Sequence, residues 1–150
     1  MKKPSFIRIN GEPVDVSGVP LHVSILEFLR SSGRTGTKSG CNEGDCGACT
    51  ILVLDESEPP KAINGCLALV HSLAGREILT SEGLAGPDGE LHPAQEAMVS
   101  HYGSQCGYCT PGFICSMAEA SARGICADPA AVADQLCGNL CRCTGYRPIR

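Results

Sequence analysis

Between Gly40 and Thr50 the sequence reads GCNEGDCGACT, which places three cysteines and three glycines in eleven residues. The whole chain of 150 residues carries 11 cysteines, and no other feature restricts its fold as severely. The number is odd, so a complete set of disulfides leaves one thiol over. Disulfides also need an oxidising compartment. The N-terminus, MKKPSFIRIN, begins positive, but Pro4 and Arg8 interrupt it and no apolar run typical of a signal peptide follows. No stretch approaches the ~18 consecutive apolar residues of a membrane span. The expected setting is therefore cytoplasmic, where a cysteine-rich chain binds metal rather than forming disulfides. Length points the same way: two domains of about 75 residues each have cores too small to be comfortable without a covalent or metal staple. The formal net charge of −4, with Lys and Arg scattered, gives no basic footprint for nucleic acid.

The spacings divide the cysteines. Cys41, Cys46 and Cys49 are spaced C-x4-C-x2-C, and Cys66 follows after a strand and a turn, which is the plant-type pattern for a [2Fe–2S] cluster. Two ferric ions, two sulfides and four thiolates sum to about −2, and to about −3 on reduction. Burying that charge demands hydrogen-bond donors, and a wrapped loop can turn its backbone N–H groups inward to supply them. Gly40, Gly44 and Gly47 permit the positive φ angles and close approach that such a wrap requires. In the second half, Cys106-x2-Cys109 and Cys141-x-Cys143 both fall in turn contexts, QCGYCTPG and LCRCTG. Two such turns meeting at one end of a helical bundle can present four thiolates to a second cluster. Eight cysteines then serve two clusters. Cys115, Cys126 and Cys137 remain and are read as small buried apolar residues. Cys137, four residues before Cys141, is the one that could exchange with a ligand. Zinc held by four Cys is the competing reading. Rieske ligation needs two His beside the cysteines, whereas His22, His71, His92 and His101 stand apart from them as surface or capping residues.

Other signals fail. In GTKSG (36–40), Thr37 breaks the contiguous Gly-Lys-Ser/Thr of a phosphate loop. There is no G-x-G-x-x-G, no HExxH and no nucleophile–base arrangement, so no catalytic residue is expected on this chain.

The first half reads as mixed α and β. SFIRIN alternates and ends on Asn10-Gly11, with EPVDV returning as the second strand of a hairpin. HVSILEFLRSSG has helical spacing, a capping box from Ser24 and Glu27, and Gly33 at its C-terminal cap. CTILVLD is a strand that runs into the solvated, acidic turn ESEPP. AINGCLALV and REILTSEGL suggest further short strands around a helical turn. AGPDGELHP is a glycine- and proline-rich break. Beyond it PAQEAMVSHYG, PGFICSMAEASARG and DPAAVADQLCG read as helices, the last with Asp128 as N-cap, Pro129 at its first position and Gly138 at its end.

GTKSGCNEGDCGACTILV, HPAQEAMVSHYGSQCGYCTPGF and GNLCRCTGYRPI together resemble the two-cluster iron–sulfur module of the molybdenum hydroxylases, which include xanthine dehydrogenase, aldehyde oxidoreductases and carbon monoxide dehydrogenase. The loop GCNEGDCGACT and the ending CRCTGYRPI lean toward the xanthine dehydrogenase branch. The resemblance implies an α+β chain: a plant-ferredoxin-like β-grasp domain (1–84), then an all-α four-helix-bundle [2Fe–2S] domain (85–150). It implies an oxidoreductase in which this chain transfers electrons. Substrate is hydroxylated at a molybdopterin centre elsewhere, and single electrons pass through the helical-domain cluster, then the β-grasp cluster, to FAD. The implied partners are a molybdopterin-binding large subunit and an FAD-binding medium subunit. Gln105 matches a glutamine that hydrogen-bonds the pterin. In many relatives the chain continues into a flavin domain, whereas this sequence stops at Arg150, so a separate small subunit or a fragment is expected.

Overall fold

The computed structural model describes residues 5–149; the positive start MKKP, with Pro4, lies outside them. Strands β1 (Phe6–Ile9) and β2 (Glu12–Asp15) form the expected hairpin. Asn10 (φ 52°) and Gly11 (φ 86°) occupy its turn, as a type I′ connection requires. Alternation along β1 buries Ile7 and Ile9 and leaves Phe6 and Arg8 outside.

Helix α1 (Ile25–Ser31) starts where the Ser24 hydroxyl accepts from the Glu27 N–H at 3.2 Å. It ends at Ser32, with Gly33 turning away at φ 83°. Strands β3 (Thr50–Leu54), β4 (Lys61–Asn64) and β5 (Glu77–Leu79) complete a five-stranded sheet in the order β2-β1-β5-β3-β4. Only the β1–β5 pairing is parallel. Ile25 and Leu29 of α1 close over Ile7, Ile9, Ile51, Val53, Val70 and Ile78, giving the first core.

Helices α2 (Pro93–Ser100), α3 (Thr110–Ala122) and α4 (Pro129–Gln135) follow the loop at 85–92. Their core holds Met98, Phe113, Ile114, Leu136 and Ile149. The chain is thus mixed α and β, with a five-stranded sheet and four α-helices among the described residues. Residues 137–149 form turns rather than a regular helix.

The two halves are packed together. Leu52 points to the sheet face opposite Ile51 and Val53, where Cys115 and Ala118 of α3 cover it. With both faces buried, β3 carries the continuous apolar run ILVL after Thr50 instead of an alternating one. The Glu119 carboxylate on α3 accepts the Ala62 N–H at 3.0 Å, satisfying a donor on the edge strand that no neighbouring strand reaches. No helix among the described residues is long and apolar enough to cross a membrane.

Candidate metal centres

The first loop is wrapped around its own sulfurs. Cys41 Sγ accepts the N–H groups of Glu43 at 3.5 Å, Asp45 at 3.3 Å and Cys46 at 3.3 Å, and Cys46 Sγ accepts the Cys41 N–H at 3.3 Å. Gly44 (φ 83°) and Gly47 (φ 68°) make the turns. At Gly40 the reason for glycine is space: a Cβ there would lie 2.6 Å from Cys46 Sγ. The β3–β4 hairpin supplies the other pair. Cys49 stands just before β3 and Cys66 just after β4, and the Cys66 N–H reaches Cys49 Sγ at 3.4 Å. The Asn64 side-chain amide ties the loop to β4 through Gly44 O at 2.7 Å.

The second site lies between helix ends. Cys109 is the N-terminal cap of α3, with Cys106 three residues earlier, and Cys141 and Cys143 follow α4. Cys109 faces Cys141 and Cys106 faces Cys143 closely enough for the members of each pair to influence one another's ionisation. Thr144 Oγ1 lies 3.2 Å from Cys141 Sγ, and the Cys141 N–H donates to Tyr146 Oη at 3.0 Å. The Tyr146 ring meets Phe113 edge-on, with centroids 6.3 Å apart, which anchors this turn to the helical core.

The two sets share an electrostatic pattern. Three backbone N–H groups, from Glu43, Cys46 and Asp45, bring the Cys41 thiol down to about 7. Burial pushes Cys49 up to about 11. In the second set burial lifts Cys109 to about 12. Burial also opposes ionisation of Cys141, but hydrogen bonds from the Thr144 hydroxyl, the Thr144 and Cys143 N–H groups and the Cys109 thiol outweigh it and bring it to about 7. The Tyr108 N–H lowers Cys106. Each set therefore offers soft sulfur donors with N–H groups aimed at them, the environment that a negatively charged iron–sulfur group requires. Among the described residues no three His, Cys, Asp or Glu side chains close tightly enough to hold one metal ion; a two-iron, two-sulfide core is larger than a single ion.

All eight cysteines expected from spacing fall into these two sets, four and four. Cys115 is fully buried against Leu52 and Ala118, and burial alone pushes it up to about 12. Cys126 and Cys137 are exposed and stand outside both sets, so the buried reading holds for Cys115 only. Gln105 is exposed beside Cys106. His71 Nε2 lies 2.7 Å from Val19 O, and His92 caps α2 by accepting the Ala94 N–H at 3.1 Å.

Sequence reasoning missed the residues that join the sites. The Leu140 N–H donates to Cys46 O at 2.9 Å, and Asn139 Nδ2 donates to Gly47 O at 3.1 Å. Asn139 Oδ1 accepts the Ser116 hydroxyl at 2.7 Å. The Tyr108 hydroxyl donates to Ser39 O. Their one signal is position: Tyr108 lies inside CGYC, and Asn139 and Leu140 directly precede CRC.

A sheet half and a helical half, each presenting four thiols, and hydrogen bonds running between the two loops define a two-centre iron–sulfur electron-transfer protein. Residues 7–71 match the family described as 2Fe-2S iron-sulfur cluster binding domain, and residues 80–150 match the [2Fe-2S] binding domain family. The chain belongs to the iron–sulfur subunits and domains of the molybdenum hydroxylases. It is 48% identical to xanthine dehydrogenase 1 of Arabidopsis thaliana over 85% of this chain and 10% of that protein. It is 42% identical to aldehyde oxidase 1 of Oryctolagus cuniculus over 94% of this chain and 11% of that protein. Quinoline 2-oxidoreductase from Pseudomonas putida 86 superposes with a TM-score of 0.82 and 33% identity, over 99% of this chain and 87% of the matched chain. Aldehyde oxidoreductase from Desulfovibrio gigas gives a TM-score of 0.81 and 36% identity, over 99% of this chain and 16% of that one. The chain spans about a tenth of the length of the curated relatives it matches.

Proposed function

We propose that this chain is the electron-transfer component of a xanthine dehydrogenase-like molybdenum hydroxylase, with one [2Fe–2S] cluster held by Cys41, Cys46, Cys49 and Cys66 and a second by Cys106, Cys109, Cys141 and Cys143. The carrying observation is the sorting of eight thiols into two separate sets of four, with N–H donors on Cys41, Cys46 and Cys49 in the first and backbone groups of Tyr108, Thr144 and Cys143 favouring ionised Cys106 and Cys141 in the second. Bound clusters supply reversible one-electron storage. The chain's own residues position the sulfurs, stabilise their negative charge through backbone N–H groups, and fix the two loops relative to one another. In this reading residues 1–84 form a β-grasp domain and 85–150 a helical-bundle domain.

The second site carries the exposed thiols Cys106 and Cys143 and lies beside the exposed Gln105. It is the end assigned to a molybdopterin-binding large subunit, with Gln105 as the pterin contact. The first site then faces an FAD-binding medium subunit, and the assembly works in the cytoplasm.

Iron analysis and EPR of the reduced chain test the ligation. About four irons per chain and two distinguishable [2Fe–2S] signals are expected. One cluster per chain, or zinc in place of iron, overturns it. Co-purification with a molybdopterin protein and a flavoprotein tests the assembly, and a chain that stays monomeric with unrelated electron donors would instead be a free redox carrier.

A further inference from the structure

Tyr108 belongs to the second loop by sequence and reaches the first loop in space. It stands between Gly107 and Cys109, its backbone N–H lowers the Cys106 thiol, and the residue is 49% exposed. Yet its hydroxyl donates to Ser39 O, two residues ahead of Cys41. The other bonds between the loops, from Leu140 and Asn139, attach at Cys46 and Gly47. Those bonds hold the later part of the first loop and leave its start unattached to the helical half.

Ser39 is in turn bonded to the loop. Its hydroxyl donates to Asn42 Oδ1 at 2.8 Å, and Asn42 holds a left-handed turn at φ 59°. Between them the Cys41 N–H donates to Cys46 Sγ, and Cys41 Sγ collects three N–H groups. A displacement of Ser39 therefore changes the N–H to sulfur distances on which the charge balance of the first site depends.

We propose that Tyr108 is a positioning residue, a strut from the second loop whose hydroxyl holds Ser39 and so sets the electron affinity of the first site relative to the second. The proposal rests on the reading that both sets of thiols hold clusters. N–H donors favour the reduced, more negative cluster. Without the strut the Cys41 loop relaxes and those bonds lengthen. An electron shared between the two sites then moves toward the second, and what the first site loses the second gains.

The test is Tyr108→Phe in the full chain loaded with iron and sulfide, followed by redox titration with EPR detection. The expected result is a shift of about threefold in the electron distribution toward the second site, roughly 28 mV at 59 mV per tenfold for one electron. The second-site midpoint stays unchanged. Cys66→Ser, which perturbs the first site only, identifies which signal belongs to it. Incorporating 4-aminophenylalanine at position 108 restores a donor at the same place and should restore the wild-type distribution, a recovery that a merely structural role of the hydroxyl oxygen does not predict. Wild-type midpoints in Tyr108→Phe, a change confined to the second site, or a 4-aminophenylalanine variant that behaves like Phe each overturns the strut. If Tyr108→Phe fails to accumulate, the 4-aminophenylalanine variant decides alone: native midpoints support the strut and shifted ones overturn it. Wild-type protein with fewer than two clusters instead overturns the underlying reading of the sites.

Discussion

Gly112→Ala tests how the halves are joined, because local propensity and packing predict opposite signs. Gly112 lies inside α3, where replacing Gly by Ala normally stabilises by about 1 kcal/mol. Here a Cβ would meet Gly47 O at 2.1 Å and Asn139 Nδ2 at 3.2 Å. An ordinary carbon–oxygen contact is about 3.3 Å, so backbone on one side must retreat by about 1.2 Å. Gly47 is backbone, and the Asn139 amide is held at both ends by Gly47 O and the Ser116 hydroxyl. Overpacking of this kind costs about 1–3 kcal/mol. The same retreat stretches the bonds from Asn139 Nδ2 to Gly47 O and from Leu140 N–H to Cys46 O, each worth about 1 kcal/mol. Packing wins, and the net loss is about 2–4 kcal/mol. At this chain length that lowers the melting midpoint by roughly 4–16 °C. The assay is an anaerobic thermal melt of the iron-loaded protein, with Gly18→Ala as control, since nothing lies within 4 Å of a Cβ at Gly18. A Gly112→Ala protein as stable as wild type, or more stable, refutes the close approach of α3 to the first loop.

Two further outcomes are expected. Cys115→Ala should keep its full iron content and lose about 1 kcal/mol of stability, while Cys115→Ser should lose more, because it buries a hydroxyl among Leu52, Ala118 and Leu84; halved iron in either variant would make Cys115 a ligand. In the iron-free chain at pH 8, Cys41 at about 7 is mostly thiolate and Cys49 at about 11 is thiolate in about one part per thousand. The lower intrinsic nucleophilicity of a low-pKa thiolate offsets part of that difference, so alkylation with mass-spectrometric readout should be roughly tenfold to twentyfold faster at Cys41. Below pH 7 the Cys41 rate should fall about tenfold per unit, whereas the Cys49 rate should still be rising through pH 10. Equal rates, or a parallel pH dependence, would refute the assigned hydrogen bonding.

Elements governed by local chemistry could be read directly. Asn10-Gly11 specifies its hairpin, Ser24 and Gly33 bracket α1, and Asp128 opens α4 with its side chain on the Ala130 N–H. Where long-range packing competes, the reading shifted. Helix α4 ends at Gln135, before the Gly138 that looked like its stop, because Leu136 caps it and turns into the core beside Phe113. The reciprocal capping box occurs at His92 and Gln95, which has no Ser or Thr to announce it. The eight candidate ligands could be proposed from sequence because most of them stand within a few residues of another, in the C-x4-C-x2-C, C-x2-C and C-x-C clusters. Asn139, Tyr108 and Ser116 were not, since each acquires its role only from a partner tens of residues away.

One carbonyl stands at the centre of the joint between the sites. Gly47 O accepts the Thr50 N–H at 3.1 Å, the Thr50 hydroxyl at 2.7 Å and Asn139 Nδ2 at 3.1 Å. It belongs to the residue after Cys46 and two before Cys49, and Gly112 of α3 packs against it. Thr50 and Asn139 are buried, so these bonds do not compete with bulk water. The neighbouring Cys46 carbonyl is bonded to the residue preceding Cys141. The separation of the two thiol sets is therefore held by one backbone–backbone bond, by glycine-to-backbone contact and by the short, buried Asn139 side chain, with the Tyr108 hydroxyl on Ser39 O as the contact made by a long side chain. A single-electron relay needs that rigidity, because transfer between fixed centres leaves no diffusional step to correct a poor separation. The glycines of GCNEGDCGACT thus have a second purpose beyond wrapping sulfur: Gly47 lets the helical half approach closely enough for its backbone to hold the first loop in place.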